Sequence, residues 1–154
     1  MSNLSNGEYE ELKAFLLFYS DRYMPVDSLP PHLRPVACLE VLERKSRTMA
    51  SKGLAQAIND IIQSSRHLEP EQLRKVDREL QSRGLVTLSQ LRRRYSREYA
   101  KVLKKGRIAN ETEYYLVRGI LDDNAGSFGD GEREALAQML VEFEQRADLQ
   151  SGDA

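Results

Sequence analysis

Tryptophan is absent, cysteine occurs once and histidine twice among the 154 residues. A lone Cys38 cannot close an internal disulfide, which fits a reducing compartment. Two histidines and one cysteine cannot complete a zinc set without a carboxylate. No motif flanks Cys38, His32 or His67 that would pair a thiol with an imidazole base. Cys38 is expected as a small buried residue of the second helix. Glycine loops that cradle phosphate and the dinucleotide fingerprint are also missing. The longest apolar run, Ala14 to Tyr19, has six residues, against roughly 20 for a membrane span. Met1-Ser2-Asn3-Leu4 has no charged leader before an apolar stretch, so it does not read as a targeting segment. These gaps argue against metal, cofactor, membrane and recognisable catalytic roles, and they point to a cytoplasmic location.

Strand signals are equally scarce. No segment alternates cleanly, and the Asn6-Gly7 pair is not flanked by β-branched runs. What is present is a chain with 40 % hydrophobic and 31 % charged residues, a globular composition long enough for one core. The net charge of −1 conceals a partition. Residues 1–70 carry 8 basic and 9 acidic side chains, residues 71–107 carry 12 and 4, and residues 108–154 carry 3 and 11. A total of −1 thus hides a net of +8 beside a net of −8, and whole-chain charge would mislead about partners.

Helical spacing recurs along the chain. Tyr9, Leu12, Phe15, Leu16, Tyr19 and Tyr23 define a first helix from Gly7, ended by Pro25. Leu17 and Phe18 widen its apolar surface, which would suit deep packing or a homodimer through this helix. Pro25, Pro30 and Pro31 make a linker, so residues 1–33 are expected as an N-terminal helix and linker, with room for a separate arm. A second helix opens at Pro35 and ends near Arg47. A third, Ser51 to Gln63, could be continuous with it as one bent element. A fourth runs from Pro70 to Arg83, with Gly84 as its left-handed terminator. A fifth follows Thr87 and runs to Lys105, opened by a Thr87–Gln90 capping box. A sixth follows Asn110, with Glu113 completing another box. A last helix spans Gly131 to Ala147, leaving a disordered tail at 150–154. The expected fold is all-α: a single-domain bundle of six or seven helices over 34–149.

The fifth helix carries the strongest signal. At about 100° per residue, Leu88, Leu91, Tyr95, Tyr99, Val102 and Leu103 share an arc of roughly 120°. Arg93, Arg94, Arg97, Lys101, Lys104 and Lys105 share the opposing arc, with Gln90 among them. Arg93–Arg97, Arg97–Lys101 and Lys101–Lys105 repel at four-residue spacing, so an anionic partner would relieve them. The partner could be phosphate, another protein or the chain's own acidic third.

Two helices joined by the short turn Gly84-Leu85-Val86 resemble the helix-turn-helix arrangement. The resemblance covers about 37 of the 154 residues. It implies that the second helix enters a major groove, with Ser89, Gln90, Arg93, Arg94 and Arg97 as contacts. A second register, with Thr87-Leu88-Ser89-Gln90-Leu91 in the first helix and Arg97 to Lys105 in the second, fails at the turn. Only Ser96 separates its halves, and the unbroken apolar stripe argues for one continuous helix.

Two further clusters read as structural. Asp122, Asp123, Asn124 and Asp130 crowd a glycine-containing loop, but counting from Asp122 puts Ser127 and Arg133 where a calcium loop needs glycine and glutamate. Asp130 is expected to cap the last helix. Tyr114 and Tyr115 point about 100° apart, so one belongs to a core and the other to its rim. The expected function is a small non-catalytic binding or adaptor protein of bacterial type, presenting Gln90, Arg93, Arg94, Arg97, Lys101, Lys104 and Lys105 to an acidic protein surface. A nucleic-acid-binding regulator with a helix-turn-helix-like unit at 70–105 is the alternative.

Overall fold

The computed structural model describes residues 4–122, 128 and 131–152. Every regular element among the described residues is helical. They form eight α-helices: α1 Asn6–Tyr23, α2 Pro35–Lys45, α3 Arg47–Ser64, α4 Pro70–Ser82, α5 Leu88–Tyr95, α6 Arg97–Lys105, α7 Glu111–Asp122 and α8 Glu132–Gly152. Short 3₁₀ turns occupy Val26–Ser28, Pro31–Leu33 and Ser65–His67. The all-α expectation holds, but the count exceeds six or seven. The boundary that the seven-helix reading lacks falls at Ser96, and the second and third helices are separate at Ser46 instead of one bent element.

Ser46 ends α2 and starts α3, its Oγ accepting from the Met49 amide at 3.3 Å. Ser96 does the same between α5 and α6, accepting from the Tyr99 amide at 3.2 Å. A serine side chain that satisfies an orphan amide makes a helix start favourable by about 1 kcal/mol. The fifth helix is therefore not the single rod that the continuous stripe suggests. It breaks at Ser96, whose backbone is extended at φ −71° and ψ 123°.

The contacts divide the chain into two compact units, residues 1–65 with 80–86, and residues 66–79 with 87–154. In the first, α1, α2 and α3 pack on one another. Tyr9, Leu12, Phe15 and Leu16 of α1 are at most 1 % exposed, each worth roughly 2 kcal/mol of burial. The N-terminal helix is therefore part of a packed core, not a detached arm. Leu42 touches the space above Gly53, where a Cβ would lie 2.8 Å from its Cδ1, so glycine lets α2 approach α3 closely. Cys38, expected to be buried, is exposed on α2. Its thiol lies 3.7 Å from the carbonyl of His32, not from the imidazole.

In the second unit α5, α6, α7 and α8 pack together. Tyr99, Val102, Ile108, Val117, Ile120 and Leu136 centre its apolar core. Leu73 of α4 lies so near Gly119 of α7 that a Cβ there would meet its Cδ2 at 2.8 Å. The Thr87–Gln90 capping box forms as expected. The Asn110 box is displaced by one residue: Asn110 Oδ1 accepts from the Glu113 amide, but Glu113 returns to the amide of Ala109. The expected Asp130 cap and most of the Asp122–Asp130 loop lie outside the described residues.

Candidate cationic interface

The break at Ser96 changes which face each cation occupies. On α5 the buried residues are Leu88, Ser89, Leu91 and Arg92; on α6 they are Tyr99 and Val102. The two short helices are phased independently, so the seven expected contact residues do not form one surface.

Gln90 is half-buried and spent on the helix cap, its Oε1 accepting from the Thr87 amide at 2.9 Å. Its neighbour Ser89 is 1 % exposed and donates through both its amide and its hydroxyl to Asp77 of α4. Two of the five residues that a helix-turn-helix would aim at bases, Ser89 and Gln90, are therefore turned inward. Arg93 is also taken. Its Nε and Nη2 lie 3.1 and 2.8 Å from the two carboxylate oxygens of Glu132 on α8, a two-pronged pairing that arginine favours. Tyr99 donates its hydroxyl to the same carboxylate at 2.8 Å. Arg93 also lies 4.6 Å from the ring centroid of Phe128. The Glu132 hydrogen bond raises the Arg93 pKa further. Burial, then donation to Glu132, pushes the Tyr99 phenol well above its ordinary value.

At the other end, Lys105 Nζ lies 2.6 Å from Glu113 Oε1 on α7. Burial works against ionisation of Glu113, but Lys105 and the Ala109 amide outweigh it and lower its pKa. Arg94 is exposed but already engaged within the chain. The acidic third thus neutralises two of the expected contacts, Arg93 and Lys105.

Arg97, Lys101 and Lys104 remain. They are exposed, and none has a carboxylate partner among the described residues. Their spacing of four and three residues aligns them along one face of α6, about 10 Å end to end. Ala100 lies beside them and Leu103, 37 % exposed, borders the strip. Lys101 and Lys104 also edge a groove of about 520 Å³ shared with Glu98, Lys105, Asn110, Thr112 and Glu113. Glu98, the single carboxylate of α6, is turned toward Arg66. The strip is therefore a short cationic ridge on α6.

A larger cleft of about 800 Å³ runs along α4 and α7, with Leu68, Leu73 and Leu116 in its lining. Arg66, Arg74, Arg92 and Arg118 face Glu69, Glu98, Glu111 and Asp122 there, so its charge is balanced and selects no ion sign. Tyr114 is half-buried and stacks on Phe143 at 5.1 Å, whereas Tyr115 is 51 % exposed. This is the expected division into core and rim.

Sequence reading missed Glu132 and Glu113 as specific partners. The charge partition announced that quenching was possible, but a spacing of 39 residues between Arg93 and Glu132 carries no local signal. No helix of the described residues is long and apolar enough to cross a membrane. No family model, curated protein or solved structure matches the chain.

Proposed function

We propose that the protein is a small non-catalytic binding or adaptor protein whose α6 ridge docks on an acidic protein surface. One observation carries this reading: Arg97, Lys101 and Lys104 stay exposed and without a carboxylate partner among the described residues, while Arg93 and Lys105 are matched internally. Unpaired like charges on adjacent turns cost a few tenths of a kcal/mol per pair, and an anionic partner turns that cost into attraction. Charge steering would speed encounter more than it would deepen affinity.

Contact with nucleic acid through the same three cations is the second reading. The inward-facing Ser89 and Gln90 favour phosphate contact over base reading in that case. A salt series distinguishes the two. Fluorescence anisotropy is measured with a labelled glutamate-rich peptide and with a mixed-sequence duplex. The adaptor reading expects peptide binding at low salt that is lost in the Arg97→Gln, Lys101→Gln, Lys104→Gln variant. A duplex bound in preference, with a log–log salt slope of about −2.7 for three phosphates, would replace it with the second reading. Binding of neither probe removes both.

A further inference from the structure

We infer that the acidic surface recognised by the α6 ridge is the outer face of α8 in a second copy of the chain. The inference rests on the reading of α6 as a docking ridge. Glu134, Glu142 and Asp148 are exposed on α8, and none of their carboxylates has a cationic partner among the described residues; that of Glu142 accepts only from the neutral Gln138 amide at 3.1 Å. At about 100° per residue they fall with Val141 and Leu149 inside an arc of about 120°, opposite the buried Leu136, Met139 and Leu140. The face is thus acidic with two apolar points, Val141 at 46 % and Leu149 at 71 % exposure. The α6 ridge offers the complement: three cations bordered by Leu103.

Charge complementarity selects a copy of the same chain. Residues 71–107 carry a net of +8 and residues 108–154 a net of −8. Within the chain Arg93–Glu132 and Lys105–Glu113 use part of both. The α6 and α8 faces are left with opposite formal charges of equal size, each with exposed hydrocarbon. A two-fold axis makes the α6–α8 contact twice and closes the pair. Exposed apolar side chains covered in the contact add the non-directional part of the attraction.

Two reversed variants decide it, with molar mass read by light scattering after size exclusion. One is Arg97→Glu, Lys101→Glu, Lys104→Glu. The other is Glu134→Lys, Glu142→Lys, Asp148→Lys. Wild type is expected to show twice the chain mass at low salt and the single-chain mass at high salt. Each variant alone is expected to be monomeric, since like faces then meet. An equimolar mixture is expected to regain the doubled mass, because a contact between opposite charges is again available. Recovery in the mixture also shows that the variants are folded, and helical circular dichroism checks each separately. A wild type that stays monomeric at low salt overturns the inference, as does a dimer that survives in either variant. So does a mixture of two helical variants that fails to associate. If wild type binds the glutamate-rich peptide yet stays monomeric, this inference falls and the docking role of α6 stands. The α8 variant retains the ridge and should bind that peptide in either case.

Discussion

Arg93 and Arg97 are four residues apart and chemically identical, yet one is a structural group and the other is left to solvent. Arg93 is held by Glu132, which is itself held by Tyr99. Replacing Glu132 by glutamine weakens a partly buried pair and is expected to cost about 1–3 kcal/mol, and Tyr99→Phe about 1 kcal/mol. Arg97→Gln is expected to change stability by less than about 0.5 kcal/mol. Urea unfolding of the three variants checks the order. An Arg97→Gln loss as large as that of Glu132→Gln would show that the ridge is structural. A related cluster sits in the first unit. Tyr9 donates to Glu43 at 2.6 Å, and Lys13 reaches both its oxygens at 2.9 and 3.0 Å. The Tyr9 bond, then Lys13, holds the Glu43 carboxyl below its ordinary range. A depressed folded pKa gives stability that is full above the unfolded value of about 4.3 and fades as pH falls toward the folded one. Glu43→Gln is therefore expected to lower stability at neutral pH and to flatten its fall between about pH 5 and 3. An unchanged acid slope in chemical denaturation would contradict the role given to this carboxylate.

Most helix starts and stops are written locally. Pro35 opens α2, Thr87 and Gln90 box the start of α5, and Gly84 and Gly106 take left-handed φ values of 69° and 74°. The break that is not legible, at Ser96, shares its form with the one at Ser46, where helical spacing already separates a second helix from a third. Each serine closes one helix and caps the next, with Met49 or Tyr99 at the third position instead of Glu or Gln. No capping box announces them, and the hydrophobic stripe runs straight across Ser96. The apolar period survives a one-residue break because both short helices still bury their own share of it. Ser96→Ala removes the side-chain acceptor for the Tyr99 amide and is expected to cost about 1 kcal/mol, seen as a lower urea midpoint with unchanged slope. Stability equal to wild type would mean that the break is imposed by packing around Tyr99 and not by the cap.

Over the full chain, the opposed charge of residues 71–107 and 108–154 is legible from residue counts alone. Its division into spent and unspent cations is not. The division depends on which carboxylate is brought near which cation by tertiary packing, and neither Glu132 nor Glu113 is marked by its neighbours in sequence. The candidate site accordingly shrinks from seven residues over two helices to Arg97, Lys101 and Lys104 on one. The decisive measurement is a two-dimensional amide NMR titration of the full chain with the glutamate-rich peptide at low salt. Shifts centred on Arg97–Lys105 and its groove neighbours Asn110 and Thr112, accompanied only by the α8 face that the peptide displaces, are the expected result. Shifts centred on another surface, or none at all, would contradict the assignment of α6 as the docking ridge.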